Sequence, residues 1–242
     1  MAFFSNLSNE LKTPLSRIIA PVSQLLPATE EAHEKQTLEE VQRNAMKINS
    51  LIHQVLNFNR IEDNEDSLLI LSRIELVSFS HSLFSVYEED KRLTFLFETN
   101  KAKIYADMDA IKLGVILDSL LSNAVKFTPD GGSIRLSLFY REETGLVDIC
   151  VSDTGSGIPP RDIPYIFQRF FQSPHSGNKE GTGIGLYLVK TYTELHGGHI
   201  TGVTSEEGKG TSVGLNIPVI AVEEEEIPAT HFFKQKTAYE IS

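Results

Sequence analysis

At 242 residues, 40% apolar and 23% charged, the chain has the makeup of an ordinary globular protein with room for one large domain or two smaller ones, and disorder is excluded except at its ends. A formal net charge of -11 argues against nucleic acid and anionic membrane surfaces as partners. The single cysteine, Cys150, rules out an internal disulfide, no run nears the roughly 18 apolar residues of a membrane span, and no secretory signal opens the chain, so a cytoplasmic location is expected.

All 16 glycines lie at or after Gly114, a shift that divides a helix-friendly first part from a turn-rich second part and predicts domains at 1–66 and 67–220. In the first, Leu7, Leu11, Leu15, Ile18, Val22 and Leu25 recur every three or four residues, as do Leu38, Val41, Ala45, Ile48, Ile52 and Val55. These stripes predict two amphipathic helices, joined as an antiparallel hairpin through Pro27 and the polar stretch Thr29 to Glu34. Two helices leave an apolar face uncovered, so a homodimer forming a four-helix bundle is expected.

After the polar break Glu62 to Asp66, the segments Leu68 to Phe84 and Leu93 to Phe97 mix strand and helix patterns without deciding between them. Ile111 to Lys126 predicts a helix, and Ser133 to Tyr140 with Leu146 to Val151 a β-hairpin. Cys150 falls in the apolar run Val147 to Val151, which predicts a core position. Ile184 to His196 predicts a second helix, stopped by Gly197 and Gly198, and His199 to Thr204 with Thr211 to Pro218 a last hairpin. The expected architecture is α+β: a helical hairpin, then an α/β sandwich with helices on one face of a mixed sheet. The tail 221–242 carries four consecutive glutamates and then Lys234 to Ile241, which resembles a translated sequencing adapter; it is expected to be disordered and artificial, without function.

Three segments of the second part carry chemistry. In Ser122-Asn123-Ala124-Val125-Lys126-Phe127, Asn123 and Lys126 share a helix face, where a carboxamide oxygen suits the shell of Mg²⁺ and an ammonium suits phosphate; most such pairs are solvated surface. Asp153-Thr-Gly-Ser-Gly-Ile158 follows a strand, so its carboxylate can take the amine of a flat base that approaches over Gly155 and Gly157; the alternative is a plain Asp/Gly turn. Gly181-Thr182-Gly183-Ile184-Gly185-Leu186 runs into a helix whose N-terminus favours phosphate. It departs from a dinucleotide fingerprint, because its third glycine comes one position early and no strand precedes it. Gly208-Lys-Gly-Thr211 adds a tight turn. Between these pieces, Pro159 to Glu180 reads as a mobile lid whose aromatic half, Phe167 to Phe171, is expected to dock on the helical hairpin.

In order and spacing these segments resemble the N, G1, G2 and G3 boxes of the sensor histidine kinases, with Phe167 to Phe171 similar to their F box; the likeness spans about residues 3 to 220. The same ATP-binding fold occurs in gyrase, Hsp90 and MutL, and the hairpin and the F box favour the kinase branch. The resemblance implies an ATP pocket of Asn123, Lys126, Phe127, Asp153, Gly155, Gly157, Gly181, Thr182, Gly183, Gly185, Leu186 and Thr211. In it Asn123 holds Mg²⁺, Lys126 meets phosphate, Asp153 receives the adenine amine, and Gly181 to Gly185 is the lid hinge. The family often has a second Asn four residues before the metal ligand; here that residue is Ser119, which implies weakened metal affinity.

Phe4 to Leu15 looks like the family's phosphoacceptor box, with Asn9 where the histidine belongs and Glu10 and Thr13 at the places that assist phosphotransfer and position a water. On the helix Asn9 faces away from Leu7 and Leu11, so its position suits an acceptor. Its chemistry does not, because an amide nitrogen is delocalised into its carbonyl and lacks the imidazole lone pair. No autophosphorylation at Asn9 is therefore expected, and His33 and His53 read as plain surface. The reading is the ATP-binding kinase core of a two-component sensor, impaired in autophosphorylation. Its partners are a second copy and a response-regulator receiver domain, and it meets a membrane only through a sensor region absent from this sequence. The alternative is a non-enzymatic ATP-binding pseudokinase or a receiver phosphatase.

Overall fold

The computed structural model describes residues 68–174 and 182–219, and before them the helical positions Ile18, Ile19, Ala20, Val22, Leu38, Val41, Ala45 and Ile48. The chain divides into two compact units, Met1–Leu68 and Leu69–Ser242. In the first, Val22 and Ala45 are buried while Ile18, Val41 and Ile48 from the same stripes remain exposed. The connecting loop and the phosphoacceptor-like segment lie outside the described residues.

The second unit runs β1 (Ser72–Glu75), α1 (Leu76–Tyr87), β2 (Thr94–Thr99), β3 (Tyr105–Met108), α2 (Ala110–Phe127), β4 (Ser133–Arg141), β5 (Leu146–Asp153), a 3-10 turn (Ile163–Tyr165), α3 (Gly185–Leu195), β6 (His199–Glu206) and β7 (Gly210–Pro218). Five strands form a mixed sheet in the order β2-β4-β5-β7-β6, parallel between β2 and β4 and antiparallel elsewhere; β1 and β3 form a separate antiparallel pair.

Alternation along the strands makes the sheet two-faced. Leu136, Val151 and Val213 lie in register across β4, β5 and β7, and Leu138, Ile149 and Leu215 form the next row; all six are buried. The helices cover this side. α2 lies between α1 and α3 and packs on β4 and β5, α3 packs on β6 and β7, and α1 on β2. Burying each Leu or Ile of these rows contributes roughly 1.5–3 kcal/mol.

The opposite side is polar, with Arg135 paired to Glu98 and Arg141 to Asp148. Cys150 belongs here, half-buried, with its sulfur 3.1 Å from Ser212 Oγ. The run Val147 to Val151 therefore alternates, and only its odd positions enter the core.

Local chemistry sets the helix ends. Asp109 caps α2 by accepting from the N–H groups of Ile111 and Lys112 at 3.1 and 3.0 Å. At its other end Thr128 Oγ1 donates to the Ala124 carbonyl at 2.6 Å, and Pro129 cannot extend the helix. Glu75 caps α1 the same way, from Val77 and Ser78, and also accepts from Ile104 N–H at 3.0 Å. Burial pushes the Glu75 carboxyl up, but these hydrogen bonds outweigh it and hold the group below the usual carboxylate range.

Candidate functional site

The C-terminal half of α2 supplies one wall. Asn123 is half-buried, and one turn before it on the same face Ser119 is buried. The Lys126 ammonium sits 4.7 Å from the Phe127 ring centroid, a cation–π contact that draws the charge toward the helix end. The Phe127 carbonyl leaves the helix and accepts from Ser156 N–H at 3.1 Å, which ties α2 to the loop after β5.

That loop begins at Asp153, the last residue of β5, in register with Thr211 of β7. Asp153 Oδ1 accepts from the N–H groups of Gly155 at 2.8 Å and Thr211 at 3.3 Å. Among the described residues no group donates to Oδ2, so one carboxylate oxygen stays available to a ligand. Burial pushes the Asp153 carboxyl above its ordinary range, against the two hydrogen bonds. Gly157 has φ 71°, and a Cβ there would come within 2.1 Å of the Glu206 carbonyl oxygen, so only glycine lets the loop lie against the β6–β7 turn. Two further bonds fasten it: Gly208 N–H to the Ser156 carbonyl at 2.8 Å, and Ile158 N–H to Ser205 Oγ at 2.8 Å. Ser205 Oγ lies 2.9 Å from Thr211 Oγ1 as well, which closes the circuit back to Asp153.

The third wall is the entry to α3. The capping residue Ile184 offers no side-chain acceptor, so the first-turn N–H groups of α3 are not satisfied by a cap side chain. Thr182 Oγ1 accepts from Ile184 N–H at 3.3 Å. Gly183 adopts φ 69°, and its carbonyl accepts from Phe170 N–H at 2.9 Å; a Cβ on Gly183 would lie 2.5 Å from the Phe170 carbonyl carbon. Phe170 itself has φ 62°. Beside it Arg169 stacks over Tyr187, 4.9 Å from the ring centroid, and donates to the Tyr187 hydroxyl at 2.9 Å. Ser173 donates to the buried Asp162, drawing the two ends of the described lid segment together.

The fold thus gathers Asn123, Lys126 and Phe127 beside Asp153, Gly155, Gly157 and Thr211 through the Phe127–Ser156 bond and the Asp153–Thr211 register. It brings Thr182, Gly183, Gly185 and Leu186 to the same wall of α2, because Gly185 packs against Ser119. Asn9, Glu10, Thr13, Gly181, His33 and His53 lie outside the described residues. Sequence reasoning missed Ser205, which acts through its hydroxyl, and the roles of the Phe127 carbonyl and of Phe170 within the Phe167 to Phe171 segment, which act through backbone geometry.

Among the described residues no three His, Cys, Asp or Glu side chains group to hold a metal unaided. A lone carboxamide such as Asn123 fits instead a hard cation whose charge is balanced by the ligand's own phosphates.

Two family models match the chain. Residues 1–64 match the His Kinase A (phospho-acceptor) domain, and residues 108–221 match the Histidine kinase-, DNA gyrase B-, and HSP90-like ATPase. The chain is 34% identical over 226 residues to hybrid signal transduction histidine kinase D of Dictyostelium discoideum, covering 90% of this chain and 14% of that protein. It is 29% identical to sensor histidine kinase WalK of Bacillus subtilis (89% and 36%) and 34% identical to sensor histidine kinase TmoS of Ectopseudomonas mendocina (91% and 23%). The chain therefore spans about a third or less of the length of these relatives. Among solved structures, full-length ShkA in complex with AMPPNP shares the fold with TM-score 0.69 and 24% identity, over 92% of this chain and 47% of that one. The mycobacterial sensor histidine kinase MprB gives TM-score 0.54 and 25% identity over 62% and 98%. With a phospho-acceptor match followed along one chain by an ATPase match, and sensor kinases among its relatives, the chain carries a sensor histidine kinase core.

Proposed function

We propose that this core binds ATP with Mg²⁺ but does not phosphorylate itself at residue 9. Residues 1–66 serve as the dimerising, phosphoacceptor-like hairpin, 67–220 as the ATP-binding catalytic domain, and 221–242 as a tail without function. The observation that carries the nucleotide reading is Asp153. Its carboxylate is fixed by Gly155 and Thr211 through one oxygen, with the other left for an exocyclic amine, at the end of a strand bordered by a helix N-terminus.

In this reading adenine lies over Gly155 and Gly157 with its amine on Asp153, and the phosphates extend toward Lys126 and the α3 entry. Asn123 holds Mg²⁺, which when bound neutralises charge on the phosphates. Gly181 to Gly185 forms the hinge of the lid over the phosphates. Transfer then needs a nucleophile with a free lone pair, and the Asn9 carboxamide has none on nitrogen. Incubating the purified chain with γ-labelled ATP, alone and as Asn9→His, tests this. Label is expected only on the Asn9→His protein, and label on the parent chain would overturn the missing-acceptor reading.

Exposed Ile18, Val41 and Ile48 support pairing of the hairpin with a second copy. Among the described residues no helix is long and apolar enough to cross a membrane, which fits the cytoplasmic part of a membrane-anchored sensor; no nucleic-acid partner is proposed. Retention of Glu10 and Thr13 beside Asn9 favours a second role. A pseudokinase or phosphatase of this kind would act on a response-regulator receiver, measured as faster loss of label from a phosphorylated receiver when the chain is added.

A further inference from the structure

We propose that Ser205 is a positioning residue that sets base selectivity: it occupies the Thr211 hydroxyl proton, so that Thr211 meets the ligand as an acceptor beside Asp153. This rests on the ATP-site reading above. Asp153, Thr211 and Ser205 stand in one row across β5, β7 and β6. Each lies two residues along its strand from Val151, Val213 and Val203, which make up a neighbouring row, and Val151 and Val213 are buried. Alternation therefore puts all three side chains on the helix-covered face of the sheet, where each is half-buried.

The proton count at Ser205 fixes the direction of its bonds. A hydroxyl has one proton to give and two lone pairs with which to receive. Ile158 N–H donates to Ser205 Oγ at 2.8 Å and takes one lone pair. The Gly210 carbonyl, 3.0 Å away, can only accept, so the Ser205 proton goes there. What remains for Thr211 Oγ1, at 2.9 Å, is the second lone pair, which only the Thr211 proton can fill. The reverse direction would set the Gly210 carbonyl against a serine lone pair with no hydrogen between them. With its proton committed to Ser205, Thr211 Oγ1 keeps lone pairs alone, one strand over from the Asp153 carboxylate, whose Oδ2 receives no hydrogen bond among the described residues. This end of the pocket is thus a pair of acceptors. An exocyclic amine brings two hydrogens and can satisfy both, directly or through a water; a carbonyl oxygen in its place brings none.

The test is titration of the full chain with Mg·ATP and with Mg·ITP, which share sugar and phosphates and differ at the base, where ITP carries an oxo group in place of the amine. Ser205→Ala leaves the Thr211 proton free to turn to that oxygen, and the preference for ATP over ITP is expected to fall about tenfold. Thr211→Val removes the acceptor while leaving Ser205 on Ile158 and Gly210, and should lower the preference as well. Adding Ser205→Ala to Thr211→Val should then change the preference by no more than about twofold, because Ser205 acts through the Thr211 hydroxyl. A purely structural role for Ser205 would weaken both nucleotides alike. An unchanged preference in Ser205→Ala, or a further large fall in the double variant, overturns the proposal; if Ser205→Ala does not fold, an unchanged preference in Thr211→Val overturns it. A parent chain that binds ATP no better than ITP refutes the Asp153 reading itself, and with it this inference.

Discussion

Replacing Asp109 by Asn exchanges one carboxylate oxygen for an NH₂ at a site that answers four donors. Asp109 is 3% exposed; Oδ1 takes the Ile111 and Lys112 N–H groups, and Oδ2 takes Ile70 N–H at 3.1 Å and the Lys112 ammonium at 3.1 Å. An asparagine keeps the cap, since its carbonyl can stand at Oδ1, and caps as well as aspartate does. Its NH₂ then faces Ile70 N–H and the ammonium, donor against donor. The Ile70 amide loses its acceptor at roughly 1 kcal/mol, and a buried Lys112 deprived of its carboxylate costs roughly 3 kcal/mol more. The expected loss is about 4 kcal/mol, a large share of the roughly 5–15 kcal/mol that holds a domain together.

Urea denaturation followed by far-UV circular dichroism reads this directly, the chain having no tryptophan. Adding Lys112→Met to Asp109→Asn should return most of the loss, because the charge to be neutralised is gone. A double variant no more stable than Asp109→Asn alone, or a single variant within about 1 kcal/mol of the parent, refutes the reasoning. The pH dependence has a definite sign. Burial pushes the Asp109 carboxyl up, but the hydrogen bonds from Lys112 and Ile70 and the Lys112 charge outweigh it and hold the group below its usual range. The stabilisation is therefore present above the unfolded-state pKa and is lost as pH falls through the folded one, an acid leg that Asp109→Asn removes.

At the site, Asp153→Asn should weaken adenosine binding about tenfold or more by calorimetry, since the amine loses its charged acceptor. Because burial raises the Asp153 pKa, affinity in the parent should fall with pH before an ordinary carboxylate titrates, and Asp153→Asn should flatten that leg. The same raised pKa makes ionisation destabilising at neutral pH, so Asp153→Asn is expected to melt higher; a lower melting temperature contradicts the burial argument. In α1, Ser80 Oγ is buried with no hydrogen-bond partner among the described residues, and Ser80→Ala should stabilise by about 1 kcal/mol in thermal unfolding.

Elements with punctuated ends were legible in the sequence. Pro129 follows α2, and Gly197, at φ 76°, stops α3, while turn residues separate β4 from β5 and β6 from β7. Residues 68–99 resisted because β1 passes into α1 without a glycine or proline between them: the junction is made by the Glu75 carboxylate, which folds back onto its own helix and onto Ile104. β3 is four residues long, too short for a periodicity to declare itself. Cys150 went to the wrong face because the run around it was read as continuously apolar, although Asp148 and Ser152 flank it at the alternating positions. In the site, Asp153 and the glycines were visible because their residue types carry the chemistry. Ser119 facing Gly185 was not, since a close helix crossing is a property of two segments more than 60 residues apart.

The bond between Phe170 and Gly183 couples the histories of two positions. Gly183 has no room for a side chain, so any drift there must be answered by movement of the backbone at Phe170. Phe170, in turn, holds a left-handed conformation that glycine would adopt without the roughly 1–2 kcal/mol an aromatic residue gives up. A lineage selected for stability alone would exchange Phe170 for glycine, the easiest gain on offer. Phe170→Gly should therefore raise stability by about that amount, and any nucleotide binding lost with it measures what the 61% exposed ring contributes beyond its own backbone.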